Sequence, residues 1–550
     1  MIMMLYKDIC KILAYFFFCF SLILLLPTSI AAYYQFVSNY SDHPQLHSTS
    51  AFLITAVITF IISLLLYFFG KNAVGQIFRK ESIIIVVIIW FVTPFLAGLP
   101  FLLSNTLQNP WQAFFETSSG LTTTGSTILT AKKFDQKTGI EIPIVKEVKG
   151  QFDVLYRFYG TVQPVTDQIT GKTYQGIEAV GKALLFWRSF LQFLGGGGVI
   201  VLFVAILPLL GSGGKILFQS EIPGPIKNSL TPRIKEGAKQ LWVIYLGLTC
   251  IQFCILFLFF QELSLLDIIT LSFSTISTGG FSVKNEGIAA YHDASLEWVL
   301  LLFMILGSIN FSLYFYALRG KFYRIYESEF FFYLASLLFF GAYCSWNLIG
   351  NAKMATGGNS KPFYDLIEAV RYSFFQVVSI QSTTGYTTTD YDHWPYVVQV
   401  ILLIIMFFGG MSGSTAGGIK IIRLAMLYKI VKNTLQSIFQ PDAIKRIQID
   451  GKEISSKDSV FVLSFFCIII AFLTIGTFLL VDDGVDIETA FTLVASSINN
   501  IGIAFRAAGP SETCAFLTNK QLILCSFLML LGRLEFFVIL TLFVPSFWKR

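Results

Sequence analysis

The sequence predicts an all-α polytopic membrane protein: four pseudo-symmetric helix, pore-loop, helix repeats around one central pore, with two extra N-terminal transmembrane helices. Three observations predict it: composition, an internal repeat, and the placement of basic residues. Of 550 residues, 55% are hydrophobic, 57 are Phe and only 13% are charged, which excludes an ordinary soluble globular protein. The formal net charge is +6, but the basic residues are spread through loops between apolar spans and form no stripe. That pattern excludes nucleic acid as a partner and reads as orientation in a lipid bilayer.

The repeat is the stronger signal. Counting back from a glycine, the chain reads Ala113-Phe114-Phe115, Ser118-Ser119, Thr123-Thr124-Gly125-Ser126 and then Asp267-Ile268-Ile269, Ser272-Phe273, Ser277-Thr278-Gly279-Gly280. It reads Ser373-Phe374-Phe375, Val378-Ser379, Thr383-Thr384-Gly385-Tyr386 and finally Ala490-Phe491-Thr492, Ala495-Ser496, Asn500-Ile501-Gly502-Ile503. Each copy is a short apolar helix leading into a turn rich in hydroxyls or amides that ends on glycine, with a hydrophobic span after it. A buried helix of this kind points the negative end of its dipole at whatever lies beyond it. Glycine then lets the following carbonyls adopt unusual backbone angles and face a common axis. Four copies would ring that axis with carbonyl dipoles, the arrangement that replaces a cation's water shell. Irregular backbone at this depth is tolerated only inside protein or beside water.

Taken in order, residues 1–80 form a two-helix unit. Lys7 and Lys11, an apolar run to Leu26 and then Thr28-Ser29-Ile30-Ala31-Ala32 resemble a secretory signal. The run reads as a retained first span, because a second, about 51–69, returns to Lys71, Arg79 and Lys80 and satisfies the positive-inside rule only if the first stays. The first repeat, 81–215, carries an insertion at 132–182 rich in Val, Tyr, Gly and Thr, which reads either as a small β-structured cap or as a mobile external loop. Its return span, 184–210, contains Gly195-Gly196-Gly197-Gly198 and reads as a close helix contact, not a nucleotide loop. The second repeat, 216–325, uses spans at 241–260 and 296–318. The third, 326–440, uses 330–348 and 397–427, and the fourth, 441–550, uses 459–481 and 522–544. Lysine and arginine collect on one side of these spans, whereas Glu286, Asp293, Asp390 and Asp392 lie on the other. Both termini are therefore expected in the cytoplasm, with the turns opening outward.

Two features inside the spans carry chemistry. The segment 409–418, Gly409-Gly410-Met411-Ser412-Gly413-Ser414-Thr415-Ala416-Gly417-Gly418, holds too many glycines for a straight helix, since each costs about 1 kcal/mol relative to alanine. It reads as a broken segment below the turns and a candidate gate. Arg533 falls mid-span, where a charge costs roughly 2.5–3.5 kcal/mol unless it meets water or a partner. It is expected to face the pore and reach carbonyls of the broken segment. Glu535 is no partner for it on a helix, as i,i+2 residues point apart. Glu116 and Arg188 read as charges snorkelling near the membrane interface. The eight cysteines lie mostly in apolar runs, and Cys250 and Cys254 share a helix face without His, Asp or Glu, so they read as packing.

Phe186-Trp187-Arg188-Ser189, the glycine run, Ala205-Ile206-Leu207-Pro208-Leu209-Leu210, the stretch from Gly410 to Lys420, and Leu531-Gly532-Arg533-Leu534-Glu535 together resemble the TrkH family of Trk-type bacterial potassium uptake systems, in the wider Trk/Ktr/HKT group. The resemblance covers nearly the whole chain. It implies potassium as the permeant ion, no organic cofactor, a homodimer in the inner membrane and a cytosolic TrkA-like nucleotide-binding ring as partner. It implies ion-binding filter residues at Thr123, Thr124 and Gly125, at Ser277, Thr278 and Gly279, at Thr383, Thr384 and Gly385, and at Asn500, Ile501 and Gly502. It assigns gate roles to Gly413, Ser414, Thr415, Ala416, Gly417, Gly418 and Arg533. Two departures stand out: Gly502-Ile503-Ala504, where relatives commonly carry proline and glycine after the filter glycine, and the length of the insertion. A sodium- or proton-coupled symporter is the alternative from the same class. A membrane-embedded enzyme would need a polar catalytic set, and the sequence offers none.

Overall fold

The chain is described here from a computed structural model, which covers residues 2–37, 47–73, 79–135, 137–148, 153–166, 171–198, 234–351, 363–440, 448–449, 452–453 and 456–548. The later half of the first repeat's return span and the basic connection after it lie outside the described residues. Among those described, six helices are long and apolar enough to cross a membrane, and two bent helix pairs raise the number to eight. The molecule is an all-α polytopic membrane protein, and among the described residues β-structure is confined to short two-stranded pairs in its loops.

Residues Ile2–Ile23 and Leu25–Ala32 run almost continuously and pack along Ser48–Gly70. The pair is closely seated: Ser63 Oγ donates to Ala14 O at 2.7 Å, and a Cβ at Gly70 would lie 2.6 Å from the Lys11 backbone nitrogen. Outward faces such as Leu53, Ile61 and Phe68 stay exposed, as lipid-facing residues do.

Each repeat then supplies a spanning helix and a short pore helix. The pore helices are Pro110–Leu121, Leu265–Ile276, Leu366–Gln381 and Ile487–Asn499. Their starts are capped as their sequences dictate. Asn109 accepts from Trp111 N ahead of Pro110, Ser264 and Asp267 form a capping box, as do Asp365 and Glu368, and Asp486 accepts from Thr489 N. Acid at three of the four ends complements the helix dipoles, whose other ends are buried.

The return helices differ from the expected straight spans. The stretch read as 296–318 is two helices, Ala294–Ser308 and Phe311–Leu318, bent by 92°; the stretch read as 522–544 bends by 104° between Asn519–Arg533 and Phe537–Phe543. Asn310 restarts the first by accepting from Ser312 N at 2.9 Å. Glu535 (φ 56) and Phe536 (φ 58), both at positive φ, turn the second. In the third repeat Tyr396–Ile405 and Ile421–Phe439 are separated by the glycine-rich stretch, a break wider than 409–418.

The insertion does form a β-structured cap: its described residues make three two-stranded antiparallel sheets, the longest pairing Ile144–Val148 with Val154–Phe158. It docks on the loop that follows the fourth pore helix. Lys146 Nζ donates to Arg506 O at 3.1 Å and pairs with Glu512 at 2.9 Å. Tyr156 Oη donates to Asp486 at 2.5 Å, and Val148 and Tyr156 pack on Ala507.

Candidate functional site: a ring of main-chain oxygens over a broken helix

The four glycine turns meet. A Cβ built on Gly125 would lie 2.3 Å from Gly279 O, on Gly280 1.9 Å from Thr384 O, on Gly385 2.0 Å from Ile501 O, and on Gly502 2.1 Å from Thr124 O. Each glycine therefore abuts a carbonyl of the next repeat, and the series closes on itself. The ring is narrow, since the same Gly385 Cβ would also come within 3.8 Å of Thr124 O. No residue with a side chain fits these positions, and all four glycines hold positive φ of 78–95°.

The local fold repeats atom for atom. Thr124 N donates to Ser119 O, Gly279 N to Ser274 O, Thr384 N to Ser379 O and Ile501 N to Ser496 O, at 2.8–3.0 Å. The residue before each donor is left-handed: Thr123 (φ 55), Thr278 (54), Thr383 (58) and Asn500 (54). Three of these are β-branched, for which this conformation is rare, at a cost of about 1–2 kcal/mol each. Such strain concentrates where function over-determines the backbone.

These angles correct the second repeat by one residue. The sequence pattern pairs Ser277-Thr278-Gly279 with Thr123-Thr124-Gly125, but the structure pairs Thr278-Gly279-Gly280 with them, and Ser277 with Thr122 at the helix end. Counting back from the first of two adjacent glycines misses the register that the serine six residues before each ring glycine, Ser119, Ser274, Ser379 and Ser496, marks. Gly280 thus joins the ring, and Gly279 takes the place of Thr124. The other predicted turn residues fall in register.

Glu116 and Arg188 also need correction, because neither snorkels. Both are buried and joined at 2.7 Å. Glu116 further accepts from Ile128 N (3.0 Å), while Arg188 donates to Ser282 O (3.1 Å) and lies 4.1 Å over the Phe281 ring. The pair ties the return segments of two neighbouring turns together. Seventy-two residues of separation left nothing in the sequence to show it.

The broken segment packs directly against the ring, at the ends of the second and third pore helices. Its ends close on each other, with Gly409 N donating to Ile419 O (2.8 Å) and Ile421 N to Gly410 O (3.2 Å). Thr415 Oγ1 donates to Ile276 O and to Gly307 O, both at 2.9 Å, and Gly417 N donates to Thr383 Oγ1 at 2.7 Å. Gly413, Ser414, Ala416 and Gly418 complete the turn; Gly413 O accepts from Phe311 N at the bend of the second repeat. Arg533 stands at the end of its half-helix and donates to Thr415 O at 3.0 Å and to Gly195 O at 2.7 Å. Lys420 Nζ donates to Ala416 O, and Arg423 pairs with Glu535 at 2.7 Å. The fourth quadrant, where Ile503 and Ala504 depart from the expected pattern, is held by Tyr391 Oη donating to Ala504 O at 2.7 Å.

Comparison with known proteins gives consistent results. A family model for TrkH, cation transport protein, matches residues 151–550. The Trk system potassium uptake protein TrkH of Escherichia coli K12 is 31% identical over 509 residues, covering 91% of this chain and 92% of that protein. The Trk system potassium uptake protein TrkG of the same organism is 31% identical over 96% of both. The crystal structure of the potassium transporter TrkH from Vibrio parahaemolyticus superposes with a TM-score of 0.77 at 28% identity, covering 99% of this chain and 100% of that one.

Proposed function

The chain belongs to the TrkH family of cation transport proteins, and from that footing we propose that it takes up potassium across the inner membrane through the ring of main-chain oxygens. The observation that carries this reading is the closed series of contacts in which Gly125, Gly280, Gly385 and Gly502 each abut the next repeat's carbonyl. Oxygens of Thr124, Gly279, Thr384 and Ile501 crowd one axis at the ends of four inward-pointing helices, where dipoles favour a cation. Thr123 Oγ1 is buried with no hydrogen-bond partner in the protein, which leaves it to serve an ion or its water.

The glycine-rich segment is the gate and Arg533 its latch. The guanidinium places positive charge on the inner side of the ring and holds Thr415 O, so the segment blocks the path until both bonds release. The acids of the outer loops, Glu286, Asp293, Asp390 and Asp392, gather cations before entry. Both termini face the cytoplasm, the units are 1–80, 81–215, 216–325, 326–440 and 441–550, and the working form is a homodimer under the control of a cytosolic TrkA-like nucleotide-binding ring. Expression in a cell that needs potassium supplementation tests the reading. Growth and rubidium uptake at limiting potassium are expected, and absence of uptake by a correctly inserted protein would overturn it.

A further inference from the structure

We propose that Gln192 is a specificity-determining residue of the ring, tuning one of its four oxygens by a side-chain hydrogen bond; this rests on the reading of the ring as the potassium path. Gln192 lies on the return helix Lys182–Phe193 and is 0% exposed. Its Nε2 donates to Gly279 O at 2.6 Å and its Oε1 accepts from Phe281 N at 3.2 Å. The two bonds fix the amide's orientation, since the flipped assignment would oppose two acceptors and two donors.

Gly279 stands where the other quadrants carry Thr124, Thr384 and Ile501. A Cβ at Gly279 would fall 2.4 Å from Gln192 Cδ, so the amide occupies the space that those residues fill with their own side chains. One helical turn earlier Arg188 grips Ser282 O and the Phe281 ring, so a single face of this helix holds residues 279–282. The quadrant has exchanged a side chain on the ring residue for a donor from outside it.

That exchange has an electrostatic consequence. A carbonyl oxygen has two lone pairs, and one committed to an amide offers a cation less. Discrimination among ions depends on the number and field strength of the coordinating carbonyls, and a weaker field favours the larger, more easily dehydrated ion. Gln192 thereby biases the ring toward potassium over sodium. Removing the donor restores the oxygen's field and moves the preference toward sodium.

The test is flux through the reconstituted full chain with potassium, rubidium and sodium, for wild type, Gln192→Met, Gln192→Glu and Gly125→Ser. Methionine keeps the volume and loses the donor, and its potassium-to-sodium ratio is expected to fall by about threefold with potassium flux retained, as suits the loss of one neutral hydrogen bond. Glutamate donates when protonated, so its ratio is expected near wild type at acidic pH and reduced at alkaline pH. A wild-type ratio in the methionine variant while Gly125→Ser loses discrimination would overturn the role of Gln192 and leave the ring intact. A glutamate variant whose ratio at acidic pH is as low as that of the methionine variant would also overturn it. Failure of the wild type itself to prefer potassium would instead sink the underlying reading. Thermal unfolding of each variant, with retained potassium flux, separates tuning from misfolding.

Discussion

Arg533 donates to Thr415 O at 3.0 Å and, with its other terminal nitrogen, to Gly195 O at 2.7 Å. A residue of the fourth repeat thus binds at once to the broken helix of the third and the return segment of the first. Arg533→Ala removes two charge-assisted bonds, one to the loop at Thr415 O and one to Gly195 O, each worth about 1.5–3 kcal/mol. Rubidium efflux from proteoliposomes is expected to rise by about tenfold or more, since about 1.4 kcal/mol is tenfold in an equilibrium. Unchanged efflux would remove Arg533 from the latch.

The loop is joined to the ring as well. Thr383 Oγ1 accepts from Gly417 N at 2.7 Å. Thr383→Val keeps the shape and strands a buried N–H, at a cost of about 1–3 kcal/mol. The closed loop should loosen, and efflux in the absence of any activating partner should increase. Efflux no faster than wild type would show that this bond does not hold the loop.

The Glu116 and Arg188 pair predicts a stability effect. Breaking a buried pair by removing one partner costs about 3–5 kcal/mol, because the other charge stays buried. Arg188→Met should therefore lower Tm sharply in detergent. Glu116→Leu combined with Arg188→Met should recover part of the loss, though Ile128 N and Ser282 O lose their partners too. A double variant less stable than either single one would contradict the pairing argument.

Asp392, in the loop between the third glycine turn and the helix Tyr396–Ile405, predicts a pH dependence. Burial raises its carboxyl to about 6, against the bond it accepts from Arg506 N at 2.7 Å. The folded state thus holds the proton more tightly than the unfolded chain. The Asp392 contribution to stability is fully present below its ordinary value of about 4, is lost as pH rises to about 6, and is level above that. Asp392→Asn should flatten the decline of Tm across that window. An identical decline in the variant would assign it to other groups.

Much of this was legible in the sequence, for physical reasons that also explain the rest. The pore helices announce themselves because Ser, Thr and Gly at a buried helix end suit no ordinary span, and the break at 409–418 because five glycines among ten residues, interleaved with hydroxyls, sum to a large helix penalty. The bends after Ser308 and Arg533 carry no such mark. They are stabilised by distant partners, Gly413 O for Phe311 N and Arg423 for Glu535. The adjacency of Gly279 and Gly280 masks a register that Ser274 marks, standing six residues before Gly280 as Ser119, Ser379 and Ser496 stand before the other ring glycines. Gln192 in an apolar helix gives no local sign that it ends on a carbonyl 87 residues away.

The most direct test compares potassium, rubidium and sodium flux through reconstituted wild type, Gly125→Ser and Gly280→Ala. A Cβ at either position would meet a neighbouring oxygen at 2.3 Å or 1.9 Å, so the ring must open. The account predicts strong preference for potassium and rubidium in the wild type, and its loss in both variants. A wild-type ion preference in both would contradict it.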